Sequence, residues 1–186
     1  MKKLPANFEI TRYGLHVRFV DENDAEFILK LRTNEKLSRF IHSTDNNIDK
    51  QKEWIRNYKI REANAEDYYF IFYKDGIPVG LNRIYGIHDH IFTTGSWVFD
   101  ENVPFECAVA ASIITRELAF EYMGLELEDG YDGVHVDNKK VIRFNKLIGL
   151  KETARIRDVK GEYIAMELTK ADFEINKARL LNLIGY

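Results

Sequence analysis

The run from Val134 to Leu150 constrains this chain more than any other stretch, because it has to leave a strand, turn sharply and enter a short helix. Val134 and Val136 alternate as the end of a half-buried strand. Asn138 then offers a side-chain cap, and Val141, Phe144, Leu147 and Ile148 recur at helical spacing. Gly149 ends the helix where a left-handed backbone is cheapest for glycine, and Leu150 anchors the exit. A chain with such a junction needs a sheet with helices packed against it.

Composition narrows the class. With 186 residues, 45% hydrophobic and 31% charged, the chain suits one domain over 1–186 with its own core. A formal net charge of -3 gives no broad basic field, which disfavours generic nucleic-acid binding. The single cysteine, Cys107, excludes an internal disulfide and a multi-cysteine zinc site, and fits a reducing compartment. Met1 to Asn7 carries charge with no apolar run behind it, so no secretory signal is expected. No stretch is long and apolar enough to span a bilayer, and a cytoplasmic protein is the expectation.

In chain order, Leu15, Val17 and Phe19 alternate as a first strand, and Asp21 to Asp24 make a turn and cap. Phe27, Ile28 and Leu31 put an apolar stripe on the next helix, with Glu26 and Lys30 one turn apart on its wet side. A polar segment through Arg39 and His42 leads to a second helix with Trp54, Ile55 and Tyr58; both tryptophans, Trp54 and Trp97, read as core. Tyr68 to Tyr73, the Asp75-Gly76 turn and Ile77 to Leu81 form a hairpin that continues through Arg83 to the turn at His88-Asp89-His90 and returns from Ile91 to Phe99. A helix is expected from about Cys107 to Tyr122. After the opening stretch come a strand pair around Lys160-Gly161 and a tail helix with Phe173, Ile175, Ala178, Leu181 and Ile184 on its apolar stripe.

The residue order Val136, Asn138, Val141, Phe144, Lys146, Gly149, Leu150 resembles a segment of the GNAT superfamily of acyl-CoA-dependent N-acetyltransferases. The earlier strand, helix, polar segment, helix order and the hairpin ending in Gly95-Ser96-Trp97-Val98 resemble the rest of that fold, so the likeness spans most of the chain. It implies an α/β (α+β) GNAT fold, a mixed and mostly antiparallel sheet with helices on both faces, splayed at its central strands. The branch that holds ribosomal-protein and nucleotide-aminosugar N-acetyltransferases is the nearest in pattern.

The resemblance implies acetyl-CoA as donor and a small amine or peptide amine as acceptor, in a monomer or homodimer. It lays the pantetheine arm along Trp97, Val98 and Phe99 and faces it with Asn138. The pyrophosphate falls at the helix start, on the amides of Cys107, Ala108, Val109 and Ala110, with Lys140 nearby. The family's glycine-rich loop registers on Val103, Pro104 and Glu106, and its acid tyrosine registers on Asn145. Direct acyl transfer needs a neutral amine, a polarised carbonyl and a departing thiolate, with no covalent intermediate. Cys107 therefore reads as a helix-start residue and not a nucleophile. Tyr85, His88, Asp100 and Glu101 are candidate bases by position, and His88 with His90 reads as a solvated turn before a metal pair. Arg32, Asn34, Arg39, His42 and Arg83 border the acceptor; Arg32 and Arg39 either hold a phosphate or carboxylate or serve as surface ion-pair partners, and Arg83 with Tyr85 either faces the reaction centre or lies on an exposed sheet face. The rival reading is a GNAT-shaped binding module without turnover.

Overall fold

The computed structural model describes residues 1–41 and 44–186, with the side chains of Ser38, Tyr131 and Asp132 also outside the description. His42, expected at the acceptor, lies outside the described residues. Among the described residues one sheet of eight strands runs in the spatial order β1-β2-β3-β4-β5-β6-β8-β7. β1 (Glu9–Arg12) and β2 (Leu15–Phe19) form a hairpin whose turn residues Tyr13 and Gly14 both have positive φ, 51° and 71°. That pairing suits the right-handed twist of the strands. β1 has Ile10 as its one apolar residue, so it left no alternating pattern to read.

β3 (Tyr68–Lys74), β4 (Ile77–His88) and β5 (Ile91–Phe99) continue the antiparallel run. Asp75-Gly76 and Asp89-His90, all with positive φ, close the two hairpins. β6 (Leu127–His135) then lies parallel to β5 for two pairs only, Ile91 with Leu127 and Phe92 with Glu128, before the strands part. β7 (Lys151–Asp158) and β8 (Gly161–Thr169) complete the far side, with β8 against β6.

Helices cover both faces. α1 (Ala25–Arg32), α2 (Glu35–Ser38) and α3 (Ile48–Ala63) come first. Ile28, Leu31, Ile55 and Tyr58 of α1 and α3 pack with Tyr69, Ile71, Leu81 and Val98 of the sheet. On the other face α4 (Phe105–Arg116), α5 (Lys139–Ile148) and α6 (Lys170–Leu183) pack on Phe70, Phe72, Ile84, Phe92 and Met166. Asp21 closes a capping box with Asp24 ahead of α1, which fixes where that helix leaves the sheet.

Three local expectations need correction. Lys30 does not pair with Glu26; its ammonium lies 2.8 Å from Asp100, which joins α1 to the end of β5. The α6 stripe is Phe173 and Leu180, with Leu181 and Ile184 at its side, while Ile175 and Ala178 face water because they sit off the helical repeat that starts at Phe173. Trp54 is 36% exposed and not core, since α3 turns that edge toward an open cleft.

Candidate functional site

The site begins where β5 and β6 part. Arg116, at the end of α4, makes a side-on double hydrogen bond to Glu128, Nε to Oε2 and Nη2 to Oε1, each 2.7 Å. Glu128 is the last β6 residue paired with β5, and both charged groups are almost fully buried, at 3% and 2% exposure. Thr94 donates to the same carboxylate at 2.6 Å, and Thr93 donates to the Asp129 carbonyl at 2.7 Å. Two adjacent threonines thus tie β5 to β6 at the apex of the gap. Beyond that point β5 and β6 share no further register pair.

Two residues further along, β5 carries a bulge. Arg83 pairs with Gly95 and Leu81 with Val98, so Ser96 and Trp97 together oppose Asn82. Such an extra residue leaves backbone groups outside the ladder. Ser96 has φ 49°, a left-handed backbone that a non-glycine residue adopts under constraint. Buried Asn82 holds the opposite side, accepting from the Arg83 amide at 2.9 Å and donating to Thr115 at 3.0 Å.

The bulge separates two environments. On one side Trp97 packs on Phe144 of α5 with ring centroids 4.4 Å apart, and Phe105 meets the same ring edge-on. The Trp97 indole nitrogen is buried there without a hydrogen-bond partner. On the other side Ser96 lines a cleft of about 1160 Å³, together with Arg32, Tyr69, Arg83 and Tyr85. The cleft wall continues through Trp54 of α3, Arg39 and Phe40, and through His135, Ile156, Asp158, Lys160 and Tyr163 of the β6 end and the β7–β8 hairpin.

The cleft floor is built by register. Tyr69, Arg83 and Gly95 are partners across β3, β4 and β5, one transverse row. Gly95 has no room for a side chain: a Cβ there would lie 2.7 Å from Cε1 of Tyr85. The Arg83 guanidinium stacks between aromatic rings, 4.9 Å from Tyr85 and 5.5 Å from Trp54. Its Nε donates to buried Asp67 at 2.6 Å, its Nη2 donates to the other carboxylate oxygen, and Arg61 donates to Asp67 at 3.0 Å. Tyr69 is 1% exposed, and burial pushes its hydroxyl up to about 12 against the opposing influence of Arg32, Arg83 and Ser96.

The expected site residues fall into groups. Arg32, Arg39, Arg83 and Tyr85 come together in the cleft, where Arg32 also donates to Thr44 at 2.7 Å. Asn34 does not join them: its side chain caps α2, accepting from Lys36 and Leu37, so its oxygen is already engaged. His88 is also elsewhere, on the β4–β5 turn at the closed end of the strand pair, hydrogen-bonded to the Gly86 carbonyl at 2.7 Å. Asp100 is unsuited to act as a base, because Lys30 and the Asn102 amide hold its carboxyl below the usual carboxylate range. Glu101 is exposed and faces Lys36 at 3.3 Å. Asn145 sits inside α5 with its side-chain amide against the Met166 sulfur at 3.8 Å, and its backbone carbonyl accepts from Gly149 and Leu150. Among the described residues no group of three His, Cys, Asp or Glu side chains is placed to hold a metal ion.

On the far side of β5, Trp97 and Phe99 face the α4–α5–α6 layer, and Val98 is buried in the opposite core. Asn138 caps α5, its oxygen accepting from Val141 at 3.4 Å. Lys140 is exposed beside it. The helix start needs revision: α4 begins at Phe105, with Pro104 as its cap residue and no side-chain cap. The Cys107 amide donates to the Pro104 carbonyl at 3.0 Å, and the helical ladder engages those of Val109 and Ala110. Phe105 and Glu106 carry the amides at the open end. The side chains of Cys107, Ala108, Val109 and Ala110 belong to the core. Burial pushes the Cys107 thiol up. Its expected reaction with a disulfide reagent at pH 7.5 is at least about 10-fold slower in the folded protein than in urea; equal rates would show an accessible thiolate.

Sequence reading missed Tyr69, Ser96, Thr44, Phe40, His135 and Tyr163 as cleft residues. Tyr69 carried no signal beyond a strand pattern. For Ser96 the flanking Gly95 was a usable hint of a bulge.

Among solved structures, the apo form of FdhC, described as a nucleotide-linked sugar GNAT, is 35% identical, covers 96% of this chain and 99% of its own, and superposes with a TM-score of 0.81. The chain belongs to the GNAT family. Two more distant GNAT structures share the fold. Ribosomal-protein-S5-alanine acetyltransferase from Vibrio fischeri is 14% identical over 90% of this chain and 99% of its own, with a TM-score of 0.75. Mycobacterium smegmatis RimJ, in complex with CoA-disulfide, is 16% identical over 98% of this chain and 92% of its own, with a TM-score of 0.79. No protein-family model matches the chain, and no curated protein does. Among the described residues no helix of this GNAT protein is long and apolar enough to cross a membrane.

Proposed function

We propose that this GNAT protein transfers the acetyl group of acetyl-CoA to the primary amine of a nucleotide-linked aminosugar. The observation that carries the acceptor is the cleft itself. Its volume of about 1160 Å³ exceeds the roughly 300–1,000 Å³ of an ordinary small-molecule pocket. Arg32, Arg39, Lys50 and Lys160 supply cationic groups around it, and partly exposed Trp54 supplies an aromatic ring in its wall. Phosphates suit guanidinium groups, and a flat ring suits an indole. The likeness to a nucleotide-linked sugar GNAT supports the same reading.

Several features fit a CoA thioester along the far side of β5. The gap between β5 and β6 is open beyond Glu128, and the unpartnered Trp97 indole N–H is a donor that an amide carbonyl of a pantetheine arm would satisfy. The amides of Phe105 and Glu106 at the start of α4 would face the phosphates, with Lys140 in reach of solvent nearby. The donor supplies an activated acetyl thioester. In this reading, backbone left unpaired at the Ser96–Trp97 bulge polarises the carbonyl, and the arginines of the cleft orient the acceptor and favour its neutral amine. Water beside Tyr85, oriented by its hydroxyl, takes the amine proton. With Asn145 in the acid position, the thiolate leaves and draws its proton from water.

A second reading, a binding module without turnover, draws on Asn145, Pro104 and Glu106, which replace the acid and the phosphate loop. Calorimetric titration with acetyl-CoA, repeated on Asn138→Ala, decides between these readings when joined to an amine screen. The expected result is micromolar binding, about fivefold or more weaker in the variant, with the cap loss costing about 1 kcal/mol of stability. Acetylation of nucleotide-linked aminosugars and not of peptide N-termini completes the expectation. Binding without any acetylation favours the module, and no binding at millimolar acetyl-CoA removes the enzyme reading.

A further inference from the structure

We infer that the Tyr69 hydroxyl is a specificity-determining hydrogen-bond donor to the acceptor, contacting the ring hydroxyl next to the amine-bearing carbon of the sugar. The inference rests on the aminosugar reading above and adds a residue to it. Tyr69 is the largest polar side chain on the cleft floor that is fully buried, and its hydroxyl has no hydrogen-bond partner. Arg32 and Ser96 lie close enough to act on the phenol, but neither meets hydrogen-bond geometry with it, and leaving a buried hydroxyl unpaired costs about 1–3 kcal/mol, so stability alone does not favour it over phenylalanine.

The ring is held rigidly. Trp54 and Tyr58 both meet it edge-on, at 5.9 Å and 6.0 Å between centroids, and the Tyr69 amide donates to the Tyr58 hydroxyl at 2.8 Å. Its position is also specific. Tyr69 shares a transverse row with Arg83 and Gly95, and the next residue along β5 is Ser96 of the bulge. An acceptor amine that reaches the bulge from the cleft must bring its neighbouring ring atoms over this row. A phenol whose proton is held well above neutral pH donates at any working pH and does not compete as a base.

A site built to hydrogen-bond a substrate hydroxyl discriminates strongly against the analogue that lacks it, because its own buried group is then left unpaired. The test compares wild type with Tyr69→Phe on two nucleotide-linked aminosugars that differ only by the hydroxyl beside the amine. Wild type is expected to prefer the hydroxylated acceptor by about 10- to 100-fold in kcat/KM, and Tyr69→Phe to accept the two within about twofold. Thermal unfolding of Tyr69→Phe without ligand is expected at or above the wild-type temperature, a result that a structural role for the hydroxyl would reverse. Equal preference in the two proteins, or a lower unfolding temperature in the variant, overturns the inference. If wild type acetylates neither sugar, the aminosugar reading itself fails and the inference falls with it.

Discussion

Arg116→Ala is expected to lower the free energy of unfolding by about 3–5 kcal/mol, the range for removing one partner of a fully buried ion pair. The reason is the charge left behind. Glu128 would keep one donor, Thr94, for a carboxylate that is 2% exposed, and Ser112, which also accepts from Arg116, would lose its contact. In a chain of this length the change amounts to a fall of roughly 6–20 °C in unfolding temperature. Replacing both partners, Arg116→Met with Glu128→Leu, is expected to recover most of that loss, since an apolar pair leaves no charge to desolvate. Urea unfolding followed by fluorescence measures both variants. A single variant within 1 kcal/mol of wild type would mean that water reaches the apex of the strand gap.

The second large effect is expected at Asp67. Asp67→Asn removes the charge that holds Arg83 between Trp54 and Tyr85, and turns an amide toward two guanidinium groups. Arg61 and Arg83 keep 35% and 20% exposure, so solvent screens part of the loss and the cost should be about 2 kcal/mol, below that of a fully buried pair. The catalytic effect should be larger in proportion. A displaced guanidinium on the cleft floor misplaces the acceptor, and kcat/KM is expected to fall about 10- to 100-fold. Steady-state kinetics beside a denaturant curve separates the two effects. Full activity in a destabilised variant would make Asp67 a purely structural anchor.

Much of the fold was legible because its signals are local. The Asn138 cap, the left-handed Gly149 at φ 115° and the apolar spacing of α5 all act within a few residues. The hairpin turns at Asp75-Gly76 and His88 to His90 are equally local. The site was less legible because it depends on register and on distant partners. Nothing near Asp100 in sequence announces Lys30, and nothing near Arg83 announces Asp67. Tyr69 and Ser96 meet the same cleft only because β3, β4 and β5 pair in one register and β5 then gains a residue. Periodicity also misjudged α6, where Lys177 occupies the inward line between Phe173 and Leu180 and pairs with buried Glu117 at 2.6 Å.

The alternation of Ser96 and Trp97 has a kinetic meaning. Neighbouring residues of one strand face opposite ways, Ser96 toward the cleft with its arginines and Trp97 onto Phe144 of the opposite layer. In the acetyl-transfer reading proposed above, this partition one residue thick gives each substrate its own doorway. Neither has to wait for the other to enter or leave, so initial-rate plots against both substrates should intersect instead of running parallel, and each product should compete only with the substrate that shares its doorway.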